Sequence, residues 1–166
     1  MDIKQLTIDK MKGIFGDDQR RVNHALKVLK FSEEILKGEI QEENTETIVI
    51  ITAILHDIGI QSAEKKYNSN SGKYQEIEGP PIARKIMEEL KLEEALIERI
   101  CYIIGGHHTL SKVDGIDFQI IWEADLLVNI EEEGLNNPNS KLPDIINKNF
   151  KTDTGKRIAQ KLYIYN

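Results

Sequence analysis

A chain of 166 residues, 40% hydrophobic and 30% charged, has the composition of a globular protein with a substantial core and excludes disorder as the default. The formal charge of −6 argues against an extended nucleic-acid surface or an anionic membrane as partner, yet leaves room for a phosphate-sized ligand in a local basic pocket. The single Cys101 excludes an intrachain disulfide and a cysteine-rich zinc site. "MDIKQLTIDKMK" has no apolar signal core and no apolar stretch is long enough to span a bilayer, so the expected location is cytoplasmic.

In chain order, the apolar period is helical almost throughout, and no Asn-Gly or Asp-Gly hairpin signal separates alternating segments. "DDQRRVNHALKVLKFSEEILKGE" puts Val22, Ala25, Leu26, Leu29, Ser32, Ile35 and Leu36 on one face, with Asp17 or Asp18 as N-cap and Gly38 as C-cap. "NTETIVIITAILHDIG" predicts a helix buried on nearly all sides, capped by Asn44 or Thr45 and ended by Gly59. The polar stretch "QSAEKKYNSNSGKYQEIEGPP" reads as a long loop, functional or mobile, with room for one turn of helix, after which Pro80 and Pro81 open a helix through Ile82, Ile86 and Leu90. Another unit, Leu92 to Ile104, stops at Gly105-Gly106 just before His107-His108. "DFQIIWEADLLVNIEEE" carries Asp125 in its middle, and "NPNSKLPDIINKNF" with "DTGKRIAQKLYIYN" supply closing helices. With no repeat and no linker, the expectation is one all-α domain over residues 1–166: a helical bundle with its core at about 20–130 and C-terminal helices at 140–166 packed on it.

The ionisable residues stand in the order His24, His56-Asp57, His107-His108, Asp125, and all four histidines of the chain are among them. Taken singly, each has a structural reading. His24 suits a mixed helix face, His107-His108 a polar C-terminal turn at the negative end of a dipole, and Asp125 a cap for a neighbouring helix. Taken together they offer imidazole and carboxylate donors from several antiparallel helices, a set that suits a first-row transition metal. Adjacent helical residues differ by about 100° in direction, so His56 and Asp57 can share an ion only near a helix end, where Gly59 puts one.

This order of residues resembles the HD-domain superfamily of metal-dependent phosphohydrolases, in the variant whose middle motif is His-Asp-Ile-Gly. The resemblance is carried by His24 in "RRVNHALKVL", His56 and Asp57 in "LHDIG", "EGPPIARKIMEEL", His107-His108 in "IIGGHHT" and Asp125 in "WEADLLVNI", over roughly Arg20 to Ile130. It implies a helical bundle with a central metal pocket, in which His24, His56, Asp57 and Asp125 bind a first ion. It also implies hydrolysis of a phosphate ester, often a nucleotide. Two departures matter. Dinuclear members carry a histidine four residues before the glycine of the "GxxIA" helix, where this chain has Gln75, with Glu76 and Glu78 close by as substitute carboxylates. Three residues after the Asp of the His-Asp pair, one nucleotidase-like branch has a glutamate and a cyclic-dinucleotide branch a lysine; here it is Ile60.

The chemistry expected of such a site is an in-line displacement at phosphorus by a metal-activated water, with one or two divalent ions (iron, manganese, cobalt, nickel or magnesium) as cofactor. Asp57 is the natural bridge. His107 and His108, with Glu78, would hold a second ion; with one ion, a histidine of that pair would act as acid to the leaving group. Asp57, His107 and His108 are therefore the candidate catalytic residues. Arg20 or Arg21 shares a helix face with His24 and could grip a phosphate or be plain surface, and Lys65, Lys66 and Lys73 could contact phosphate from the polar segment or be solvated. The expected partner is a small phosphorylated substrate. Two other classes remain: a di-iron oxygenase of HD-like type, and a module that senses a nucleotide without turnover.

Overall fold

The computed structural model describes residues 2–39 and 42–165; Met1, Ile40, Gln41 and Asn166 lie outside the described residues. Among the described residues the chain is helical with no strand. The helices are α1 (Ile3–Phe15), α2 (Gln19–Glu39), α3 (Glu43–Leu55), α4 (Ile60–Tyr67), α5 (Gly72–Glu89), α6 (Glu94–Ile104), α7 (Gly115–Glu132), α8 (Leu142–Asn149) and α9 (Asp153–Tyr163), with short 3-10 turns at Leu110–Lys112 and Pro138–Ser140. Helix α2 packs against both α3 and α7, and α3 also packs against α6 and α7. These four elements enclose the core. Helix α5 closes it from the side by packing on α4 and α6, and α9 lies across α2 and α7.

Helix α3 is the innermost, as its apolar run, broken only by Thr52, predicts: Ile51, Ile54 and Leu55 are all but fully buried, and burial of each such side chain is worth about 1.5–3 kcal/mol. That anchorage fixes the turn that follows. The helix ends at Leu55, earlier than the expected Gly59, and residues 56–59 form a turn in which Ile58 N–H donates to the Leu55 carbonyl and Ile60 N–H to that of Asp57. At its other end the cap is Glu42 and not Asn44 or Thr45, because the Glu42 carboxylate accepts from both of their backbone N–H groups, at 3.1 and 2.9 Å. Gly38 does not cap α2 either. It lies inside the helix, where a Cβ would collide with the Thr154 side chain, so it serves close packing against the start of α9.

The polar stretch expected to be a loop is mostly helix, α4 and the first half of α5. Its buried face is Gln75, Glu78, Gly79, Ala83, Ile86 and Met87, a 3–4 spacing whose first members are polar, so apolar periodicity misses it. Pro80 and Pro81 stand inside α5 and not at its first turn. Their missing N–H groups leave the Glu76 and Ile77 carbonyls without the usual helical partner, a defect that ordinarily costs about 3 kcal/mol. Among the described residues no single helix is long and apolar enough to cross a membrane; α3 and α4 meet that test only as a bent pair.

Candidate metal centre

His24 projects from the second turn of α2, His56 and Asp57 from the turn after α3, His107 and His108 from the turn after α6, and Asp125 from the middle of α7. The fold brings these six side chains together at one place. Two glycines make the approach possible. A Cβ on Gly59 would lie 2.5 Å from Gly79 N and 2.9 Å from the Gln75 carbonyl, so the α5 backbone rests directly on the turn that holds His56 and Asp57.

The donors are pre-oriented. His56 Nδ1 donates to the Ala53 carbonyl at 2.8 Å, His107 Nδ1 to the Ile104 carbonyl at 2.7 Å, and His24 Nδ1 to Glu132 Oε2 at 2.9 Å. Each bond fixes the tautomer and leaves the Nε2 lone pair turned inward. Asp125 Oδ1 lies 3.0 Å from His24 Nε2 and 3.4 Å from His56 Nε2. Asp57 divides its oxygens. Oδ2 is 3.4 Å from both His24 Nε2 and His56 Nε2, while Oδ1 is 3.2 Å from His107 Nε2. Two donor groups are thereby close enough to hold an ion each, His24-His56-Asp57 and Asp57-His107-His108, with Asp57 common to both. Borderline nitrogen and hard oxygen donors in this mixture match a divalent transition metal, so the residues fit the ion that the sequence implies.

In the metal-free chain the charges lean on one another. Burial pulls His56 down, but Asp57 and Asp125 more than reverse this and raise it to about 9; His24 is likewise raised against its burial by Asp125. Burial pushes the Asp57 and Asp125 carboxyls up, yet the imidazoles around them hold both well below the usual carboxylate range. His108 moves the other way, pushed down to about 4 by desolvation and by the neighbouring His107.

Gln75 points to the same place: its Oε1 lies 2.9 Å from His108 Nε2 and its Nε2 donates to the Asn70 carbonyl at 2.6 Å. Neither substitute carboxylate reaches the cluster. Glu78 accepts from Ser62 Oγ at 2.8 Å and pairs with Lys66 at 2.7 Å, while Glu76 caps the turn of His108 and Thr109 at 3.0 and 2.8 Å. Both are already engaged. Arg20 and Arg21 line a cleft of about 180 Å³ that leads to His24, Asp57, Asp125 and His108. Arg21 is held there by Asp18 at 3.2 Å and by Glu64, whereas Arg20 has no ion-pair partner among the described residues. Lys65, Lys66 and Lys73 do not line the cleft. Lys66 is tied to Glu78, Lys65 is exposed on α4, and Lys73 lies over the Tyr74 ring.

Sequence reasoning missed Glu132 and Asn129. Both line the cleft, and they stand seven and four residues after Asp125, the helical spacing that would have pointed to them.

No curated protein matches this chain. Among solved structures, a protein described as a predicted HD superfamily hydrolase, from an uncultured Thermotogales bacterium, superposes with a TM-score of 0.67 at 18% identity, covering 95% of this chain and 83% of its own. That likeness is one of fold. The family model for the HD domain matches residues 21–146, which takes in every residue of the cluster, and the chain belongs to the HD-domain family.

Proposed function

We propose that this chain hydrolyses phosphate esters of small metabolites, nucleotides among them, with a divalent transition metal held by the His/Asp cluster. One observation carries the reading: three imidazoles commit Nδ1 to fixed acceptors and turn Nε2 toward two carboxylates, one of which serves both donor groups. His24, His56, Asp57 and Asp125 would hold a first ion; Asp57 and His107, with His108 beside them, would hold a second. An ion bound there supplies a water acidic enough to react near neutral pH and offsets the charge that develops at phosphorus.

The chain's own side chains supply position. Asp57 stays ionised because the surrounding imidazoles favour its charge, so both oxygens remain acceptors. Arg20 lines the cleft with its guanidinium uncommitted, which leaves a planar fork for phosphoryl oxygens. Arg21, fixed by Asp18 and Glu64, shapes the rim and is less free to follow a substrate. The test is metal analysis of protein purified without chelator, followed by phosphate release from nucleotides and sugar phosphates with manganese, cobalt, nickel and iron. Metal-dependent release is expected. Absence of release with every ion would overturn the reading, with oxygen uptake by iron-loaded protein pointing to an oxygenase and tight nucleotide binding without turnover to a sensor.

A further inference from the structure

The cleft has a second lobe that hydrolysis of a phosphate ester leaves unused. It measures about 160 Å³, opens beside His107 and His108, and is walled by Trp122, Leu126 and Asn149. Asp125, Asn129 and His108 line both lobes, so the second begins where the His/Asp cluster ends.

The two lobes differ in chemistry because one helix face changes character along its length. Trp122, Asp125, Leu126, Asn129 and Glu132 recur at three- and four-residue spacing on α7, with Glu133 capping its end, and the helical stretch rises about 15 Å. The face is aromatic at one end and acidic at the other, with Asp125 between. Trp122 is fixed in place. Its Nε1 donates to Asn149 Oδ1 at 3.1 Å, Asn149 Nδ2 donates to the Ile145 carbonyl at 2.8 Å, and Gln119 Nε2 donates to the Asn149 carbonyl at 2.9 Å. Buried Glu123 completes the network by accepting from Gln119, from Lys151 N at 2.9 Å and from Thr152 Oγ1 at 2.6 Å, which docks the end of α8 on α7. With its N–H already used, the indole offers the lobe apolar ring surface. Asn149 keeps one amide hydrogen and one lone pair, and it lies beyond residue 146, where the family match ends.

We propose that this lobe receives a flat aromatic group on the substrate's alcohol, packed on Trp122 and hydrogen-bonded at its edge by Asn149, while the phosphate lies at the His/Asp cluster. The proposal rests on the phosphohydrolase reading and adds to it a preference for aromatic over aliphatic esters. At about 160 Å³ the lobe has room for one ring, since a benzene-sized group needs about 150 Å³; its apolar surface is that of Trp122 and Leu126.

Trp122 is the sole tryptophan of the chain, so its fluorescence reads this lobe directly. Metal-loaded protein is mixed rapidly with adenosine 5′-monophosphate, phenyl phosphate or glycerol 2-phosphate and followed before turnover. The aromatic esters should quench Trp122 and the aliphatic one should not; quenching by only one of the two says whether a nucleobase or a simple aryl ring is taken. In Trp122→Leu the ratio of kcat/KM for the aromatic ester to that for glycerol 2-phosphate should fall about tenfold, with Trp122→Phe recovering most of it. An unchanged ratio overturns the proposal whatever the fluorescence does. If none of the esters is hydrolysed with any divalent ion, the phosphohydrolase reading fails by itself. Quenching of the wild-type chain then decides the lobe: present, it stands as an aromatic-binding site; absent, it does not.

Discussion

Asp57 is the residue on which the cluster turns, because its two oxygens face different imidazoles and, among the described residues, it alone belongs to both donor groups. The His107→Ala, His108→Ala double variant should therefore lose about one bound ion per chain and keep the one held by His24, His56, Asp57 and Asp125, as read by metal analysis after loading with excess manganese. Glu132 acts one step further out, by holding the His24 ring. Glu132→Ala should weaken metal affinity about 10–100-fold, by the usual cost of losing such a support, while circular dichroism stays unchanged. His56 gives a pH prediction for the metal-free chain. Its folded value of about 9 exceeds the ordinary 6.5, so protonation stabilises the folded form fully below pH 6.5, and that contribution is lost as pH rises through 9. Metal affinity should climb over the same window, since the proton must leave Nε2 first. At this scale the sequence was legible where residue types are rare: four histidines in a fixed order with Asp57 and Asp125 leave few other readings. Glu132 was not, because it sits in the run Glu131-Glu132-Glu133, where only its register relative to Asp125 sets it apart.

Among the elements, α5 holds the most information that sequence pattern left out. Apolar period marks only its second half, through Ile82 and Ile86; the first half buries Gln75 and Glu78 and stands before two prolines, so the sequence reads there as a loop. What makes it essential is contact with the turn after α3, where Gly59 and Gly79 bring two backbones together. Gly59→Ala would drive a methyl into the Gly79 backbone, which cannot move as a flexible side chain would. We expect a loss of about 1–3 kcal/mol in denaturant unfolding, the range for overpacking, and metal binding impaired further because the His56-Asp57 turn shifts. Helices α2, α3, α6 and α7 were legible because apolar spacing and burial coincide in them. Their ends were less so, since the cap of α3 is a glutamate side chain and its C-terminus precedes the glycine by several residues.

Over the whole molecule, the cleft carries more negative than positive side chains: Asp57, Asp125, Glu132 and Glu133 against Arg20 and Arg21. A bound ion would add positive charge beside Asp57 and Asp125, so phosphate binding should strengthen on metal loading and weaken on chelation. Because the donors come from α2, α7 and the turns after α3 and α6, an ion there ties distant parts of the chain together. At about one hundred times its dissociation constant it adds about 2.7 kcal/mol, and Tm should rise by roughly 5–10 °C on manganese loading. The most direct test of the central claim is anomalous diffraction from crystals soaked in manganese. A peak is expected about 2.0 to 2.3 Å from His24 Nε2, His56 Nε2 and the carboxylates of Asp57 and Asp125. A well-soaked crystal with no anomalous peak among those four side chains would contradict it.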